Sequence, residues 1–242
     1  MKKEMIYEGK AKRIFSTDEP GILIMEFKDS LTAFNALKKG SFEGKGQVNR
    51  NIAALIFKEL KKAGVNSHFV ENQGDFDMKV RAVKIIPLEV VVRNVLAGST
   101  AKKMGIEEGR VLPKPLVEFY YKDDALADPF VSDDQITIFN IATEDEIKEL
   151  KLQALKVNDV LRTLFLKIGL KLIDFKLEFG RLEQGMDLGQ IVLADEITPD
   201  CCRLWDVETN EKYDKDRFRR DLGKVDESYQ AVLNRLASVV TE

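Results

Sequence analysis

Polar and apolar positions alternate with a period of two through the first third of the chain. Ile6-Tyr7, Arg13-Ile14-Phe15 and Ile22 to Phe27 read as short strands, with Gly9 in the turn between the first two. From Lys28 to Gln47 the alternation is lost and Gly40, Gly44 and Gly46 intervene, which predicts a loop. Between Gln47 and Ala63 the apolar residues Val48, Ile52, Leu55, Ile56 and Leu60 recur at helical spacing, and Gly64 suits a helix end. Residues 68 to 86 alternate again, most clearly from Met78 to Lys84, so one face is buried and one is wet. Pro87 punctuates the pattern. Leu88 to Val92 is then a continuous apolar run, as in a strand buried on both faces.

That run ends at Arg93-Asn94. It leads through Ala97-Gly98-Ser99-Thr100 into a short helix closed near Gly105. Pro113 and Pro115 open a strand from Leu116 to Tyr121, and an acidic loop follows from Lys122 to Asp134. The longest predicted helix covers Glu144 to Ile168, with a capping box at Thr143 and Glu146 and Gly169 at its end. A strand from Leu170 to Phe179, a turn through Gly185 and Gly189, and a strand from Gln190 to Ala194 predict a hairpin. The chain from Lys215 onward reads as helical. This order, β-rich, then mixed, then helical, predicts an α+β protein in two lobes. Pro87 marks the division, with a β-rich lobe over 1–86 and a larger mixed lobe over 87–242.

Composition narrows the chemistry. The 242 residues carry 38 Lys and Arg against 41 Asp and Glu, a net charge of -3, which argues against general affinity for nucleic acid. No apolar run approaches the roughly 20 residues that span a bilayer. The first ten residues lack the apolar stretch of a secretory signal. Cys201 and Cys202 are adjacent and poorly placed for a disulfide, so the chain reads as a reduced, cytoplasmic protein. There is one histidine, His68, which the pattern places in a structural segment. Catalysis is then left to carboxylates, Lys, Arg and a hard metal ion.

Four clusters carry candidate chemistry. In Glu8-Gly9-Lys10-Ala11-Lys12-Arg13, a glycine turn followed by three bases in four positions invites a phosphate; the alternative is a solvated hairpin. Arg93 at a strand end, followed by Ser99 at a helix start, suits an anion; the alternative pairs Arg93 with a structural carboxylate and leaves Ser99 as a cap. In Asp174-Phe175-Lys176-Leu177-Glu178-Phe179, strand alternation puts Asp174, Lys176 and Glu178 on one face. The hairpin then brings Asp195 beside Glu178, a carboxylate pair for Mg²⁺; the alternative is a salt-bridged strand face. Last, Asp200 and Arg203 near the lone Trp205, with Lys215 to Arg220 beyond, suggest a polyanionic substrate bridged to metal. Arg217 and Arg220 read better as a solvated helix face.

In this order the clusters resemble the SAICAR synthetase family. The matching stretches are YEGKAKRIF, GKGQVN, EVVVRNVLAGS, KDDALADPFVSDD, IDFKLEFG, LADEITPDCCRLWD and KDRFRRDLG, from Tyr7 to Gly223. The length suits a single-function bacterial-type member. Cys201-Cys202 departs from the small residues expected there. The resemblance implies a two-lobed fold with ATP between the lobes. It also implies an ATP-dependent ligase of purine biosynthesis that joins L-aspartate to the carboxylate of CAIR, giving SAICAR, ADP and phosphate through an acyl phosphate. Such a reaction needs no protein nucleophile.

By the same resemblance Lys10, Ala11 and Lys12 line the ATP phosphates, Arg81, Ile85 and Leu88 line the adenine mostly through backbone, and Lys122 reaches the nucleotide. Glu178 and Asp195 hold Mg²⁺. Arg93 and Ser99 bind CAIR, with Lys176, Asp200, Arg203 and Arg219 completing that pocket, and Asp174 orients the substrate or Lys176. Asp128 and Ser132-Asp133-Asp134 lie in a matched stretch without an assigned role. A homodimer or higher homo-oligomer is expected on the same ground. The rival readings are a small-molecule kinase, whose ATP turnover would not need an amine, and a non-catalytic nucleotide-binding module, which would not need the carboxylates at 178 and 195.

Overall fold

A computed structural model describes residues 1–34 and 36–240. Three strands open the chain, β1 (Met5–Glu8), β2 (Lys12–Ser16) and β3 (Ile22–Phe27), followed by a hairpin of β4 (Ser30–Ala33) and β5 (Lys38–Ser41). Helix α1 (Lys45–Lys62) comes next, then β6 (Phe69–Gln73) and β7 (Asp77–Arg81). The long strand β8 (Val83–Val95) leads to α2 (Gly98–Met104), β9 (Val111–Tyr121), β10 (Phe130–Val131), α3 (Asp133–Ile138) and α4 (Glu144–Lys167). The chain closes with β11 (Leu170–Leu182), β12 (Ile191–Ala194), β13 (Cys202–Asp206), α5 (Asp216–Arg219) and α6 (Val225–Ala237).

The strands make two larger antiparallel sheets. One has the order β1-β2-β3-β7-β6; the other runs β10-β9-β8-β11-β12, with β13 also on β11. Helix α1 packs against β3 and β6, and α4 lies across β8, β9 and β11. The helices share one apolar core with both sheets, through Ile52, Ile56 and Leu60 of α1 and Leu150, Val157 and Leu161 of α4. The α+β class and the β-rich first part follow the hydrophobic pattern.

Pro87 does not divide two strands. It lies inside β8, and the change of sheet comes at Ala82, between β7 and β8. The ladder to β11 is irregular between the Glu178–Glu89 and Gly180–Ile85 pairs, so Pro87 sits where no N–H is needed. The stretch read as a loop from Lys28 to Gln47 holds β4, β5 and the first turn of α1; residue 35 at the hairpin tip lies outside the described residues. Among the described residues there, only Leu31 and Ala33 are apolar and buried, and the hairpin is anchored from elsewhere. Lys38 Nζ donates to the Phe218 carbonyl at 2.7 Å, and Gly40 lies under the Phe218 ring. Strand β9 begins at Val111 and carries both prolines along its more exposed half. The C-terminal segment is two helices broken at Gly223, which has φ 69°; residues 241–242 lie outside the described residues.

Gly46, in the first turn of α1, faces β3. A Cβ there would stand 2.4 Å from the Phe27 carbonyl oxygen. Gly46→Ala is expected to destabilise the fold by about 1–3 kcal/mol through overpacking. The check is a lower urea midpoint at unchanged m-value.

Candidate active site

Two periodicities build the site. On β8 the even residues Ile86, Leu88, Val90 and Val92 are in the core, while Val83, Ile85, Glu89, Val91 and Arg93 line a cleft of about 860 Å³ between the sheets. On β11 the cleft face carries Asp174, Lys176 and Glu178, as the alternation predicts. The register sets Asp174 opposite Arg93, Lys176 opposite Val91 and Glu178 opposite Glu89. The other edge of β11 is shared. β12 pairs with residues 178–181 and β13 with residues 170–175. The chain therefore leaves that edge at Asp195 and returns at Cys202. Lys176 N donates to the Cys201 carbonyl at 3.0 Å, so the intervening loop closes over the middle of the strand. Asp195, Glu196 and Asp200 reach the cleft from it.

Three lysines meet these acids. Lys12 of β2 pairs with Asp195 and, at 2.9 Å, with Glu196. Lys176 binds Glu178 at 2.6 Å and lies 3.3 Å from both Asp195 and Glu89. Lys122 pairs with Glu178. Burial works against the Lys12 and Lys176 ammonium groups, but the facing carboxylates outweigh it and raise both above the usual lysine range. Burial would raise Asp195, yet Lys12, Lys176 and Lys122 hold it well below the usual carboxylate range. Glu89 is raised by burial, with Glu178 and Asp128 adding to it against Lys176. Four carboxylates against three ammonium groups leave room for a further cation.

At one end the cleft turns cationic. Arg93, only 4% exposed, donates to Glu118 and Asp174, each at 2.6 Å. Arg203 reaches Asp174 at 2.9 Å and Asp216 at 3.0 Å, and Arg219 reaches Asp216 at 2.5 Å. Lys215 lines the same end, its ammonium depressed by burial against the pull of Asp200. Gly98 backs onto Arg203, where a Cβ would stand 2.4 Å from Nη2, and its φ is 60°. Toward the first sheet the wall is apolar, from Ile14, Leu23, Met25, Val80, Val83 and Ile85. An apolar slot opening onto buried bases and acids suits a purine nucleotide with its phosphates.

A family model for SAICAR synthetase matches residues 5–236. A phosphoribosylaminoimidazole-succinocarboxamide synthase of Halalkalibacterium halodurans is 55% identical over 235 residues, 97% of this chain and 98% of the relative. The chain belongs to the SAICAR synthetase family. The crystal structure of a synthase of that name from Ehrlichia chaffeensis is similar at a TM-score of 0.94 and 44% identity, over 98% of this chain and 100% of that one. A SAICAR synthetase solved in complex with ADP is similar at 0.91 and 45%, over 98% and 99%.

Against the family expectation, Lys10, Ala11, Lys12, Arg81, Ile85, Lys122, Arg93, Asp174, Lys176, Glu178, Asp195, Asp200, Arg203 and Arg219 all line the one cleft. Two expected residues do not. Leu88 is on the core face of β8 and 1% exposed, because the period of two turns it away from the cleft. Ser99 is exposed in the first turn of α2, whose N-terminus is capped by no side chain. Arg93 shows the carboxylate pairing that was its alternative reading. Arg217 and Arg220 bind within the protein, to the Gly223 carbonyl and to Glu108.

Asp200 faces the cleft but is claimed from behind. Lys45 donates to it at 2.5 Å, Asn49 at 3.0 Å and the Tyr229 hydroxyl at 2.8 Å. Burial opposes its charge, and Lys45 and Lys215 more than restore it. Lys45, Asn49, Tyr229, Glu89, Glu196 and His68 were not foreseen as site residues, whereas Lys215 lay in the basic stretch read as facing a polyanion. The Lys45 signal was present in GKGQVN, where a lysine lies between glycines at a helix start. Lys45 is 1% exposed. Lys45→Met is expected to cost about 3–5 kcal/mol by stranding the Asp200 charge, read as the loss in unfolding free energy. The added substitution Asp200→Asn should recover part of that loss.

Proposed function

We propose that this cleft carries out ATP-dependent amide formation between L-aspartate and the carboxylate of CAIR, yielding SAICAR, ADP and phosphate. The observation that carries the reading is the lattice of lysines and carboxylates formed by Lys12, Lys176, Lys122, Glu178 and Asp195 at the seam of the two sheets. It joins an apolar slot on one side to the arginine-rich end on the other. Homologues of that name and a relative solved with ADP support it.

In this reading the adenine takes the slot beside Ile85 and Arg81, and Lys10, Lys12 and Lys122 face the phosphates. The CAIR carboxylate attacks the γ-phosphorus, and the resulting acyl phosphate is opened by the aspartate amine with loss of phosphate. No side chain need form a covalent bond. Lys176, kept protonated by its acids, offsets negative charge that develops on the transferring group. Asp174 holds Arg93 and Arg203 toward the CAIR end, with Arg219 beside them. Asp200 fixes the loop. Ser99 enters this reading only as a residue beside Gly98.

Among the described residues no group of three or more His, Cys, Asp or Glu could hold a metal; Glu178 and Asp195 offer two hard oxygen donors that meet at the Lys176 ammonium, at 2.6 and 3.3 Å. That suits Mg²⁺, which takes one or two carboxylates and completes its shell with water and phosphate. When bound, it would neutralise phosphate charge. The proposal extends to a cytoplasmic location, in keeping with a chain in which no described helix is long and apolar enough to cross a membrane. It also extends to a homo-oligomer, in keeping with the exposed Phe130, Ile138 and Phe139.

ADP release should require ATP, Mg²⁺, CAIR and aspartate together, with SAICAR formed in step. ADP formed without aspartate, alongside a stable phosphorylated product, would overturn the ligase reading in favour of a kinase. Glu178→Gln is expected to lower kcat by about 100-fold or more while far-UV circular dichroism is unchanged. Normal turnover would remove Glu178 from the site.

A further inference from the structure

His68, the chain's one histidine, has no part in the reaction described above. It is 4% exposed, yet it touches the cleft wall. Its Nε2 lies 3.0 Å from the Asp195 carbonyl oxygen. A carbonyl only accepts, so Nε2 carries the hydrogen and the neutral ring is the Nε2–H tautomer. The ring is braced edge-on by Phe57, with centroids 5.7 Å apart.

Asp195 needs such a hold. Its φ is 56°, in the left-handed region that residues other than glycine occupy less often. It follows β12 directly, at the point where the chain leaves the edge of β11. The backbone around His68 is bonded in both directions. His68 N donates to the Leu193 carbonyl at 2.8 Å, Leu193 N to the Asn66 carbonyl at 3.1 Å, and Arg81 N to the His68 carbonyl at 2.7 Å. The segment thus ties β12 of one sheet to β7 of the other, and the imidazole extends that tie one residue past the end of β12.

We propose that His68 is a positioning residue, whose Nε2–H bond to the Asp195 carbonyl holds Asp195 in its left-handed conformation with the carboxylate turned into the cleft beside Glu178. This rests on the reading of Asp195 as a ligand of Mg²⁺. Without the bond, Asp195 relaxes toward extended backbone and its carboxylate leaves Lys12, Lys176 and the cation.

The test is calorimetry of ADP binding with and without Mg²⁺, which needs no turnover. Asp195→Asn should abolish the gain in ADP affinity that Mg²⁺ brings. His68→Leu should cut that gain, read as the ratio of ADP affinities with and without Mg²⁺, by about 10-fold or more. His68→Gln, which keeps an N–H donor at similar reach, should stay within about 3-fold of the parent. If His68→Leu keeps the full gain while Asp195→Asn loses it, His68 is only a packed core residue and the proposal is overturned. If Asp195→Asn itself keeps the gain, the metal reading fails and takes this proposal with it. The parent protein gives a second measurement should His68→Leu not fold. Its single imidazole yields one set of ring ¹⁵N signals, which should show a protonated Nε2 that shifts further with Mg²⁺ and ADP than with ADP alone. A protonated Nδ1 with bare Nε2 would overturn the proposal.

Discussion

Lys12 stands on β2 of one sheet and ends on Asp195 and Glu196, which belong to the loop of the other. An ammonium placed this deep is tolerable only against anions, and those anions are tolerable only against it. The pair therefore binds the two sheets across the cleft and, by the same contacts, keeps this part of it polar beside the apolar wall of Ile14, Leu23, Met25 and Val80. Lys176 and Lys122 repeat the arrangement around Glu178. In the proposed reading a phosphate entering here would meet charges already ordered by folding. Preorganised charge of this kind is the largest source of rate enhancement open to a site with no covalent nucleophile.

The position of that lattice follows from how β11 shares one edge. A single long neighbour along that edge would have occupied every backbone group from Leu170 to Leu182. Instead β12 takes one half and β13 the other. The stretch between them must cross the middle of β11, where Lys176 lies. Two bulges in the β11 ladders, between Leu172 and Asp174 and between Glu178 and Gly180, flank the same stretch. Charged side chains are thus gathered where the pairing is least regular, as expected when a sheet is bent to aim side chains into a site.

Much of this was legible beforehand, and for identifiable reasons. The period of two on β11 put Asp174, Lys176 and Glu178 on one face, and the cleft lining follows that local rule. The hairpin was read as bringing Asp195 beside Glu178; the register pairs Glu178 with Ala194, and Asp195 meets Glu178 only through their shared Lys176 as the chain leaves β12. The same rule would have excluded Leu88, which shares the core face with Ile86 and Val90; the continuous apolar run hid the alternation. The β4–β5 hairpin was illegible because its partners, Phe218 and Asp221, lie far along the chain. Lys45 stood in the stretch GKGQVN, but its role was not legible, since a buried lysine is recognised only once its acid is located. His68 read as structural from its surroundings. Its bond to Asp195 spans 127 positions, so no local pattern carries it.

The loop from Asp195 to Cys201 is held differently at its two ends, and the difference has a consequence. Asp200 is gripped on its carboxylate by Lys45, Asn49 and Tyr229, from two helices. That grip spends the charge of Asp200 on the protein and fixes the loop as a body. Asp195 is gripped on its carbonyl by His68, which leaves the carboxylate to face lysines that a ligand can recruit. Holding a residue by its backbone is the one way to fix its position without consuming its charge. The donor is a neutral imidazole, which adds no charge to the three lysines already facing these acids. Burial keeps His68 in that form, lowering its pKa to about 4 against the opposing pull of Asp195. A buried neutral imidazole on the Asp195 carbonyl thus fixes that residue while leaving the balance of four carboxylates and three ammonium groups unchanged.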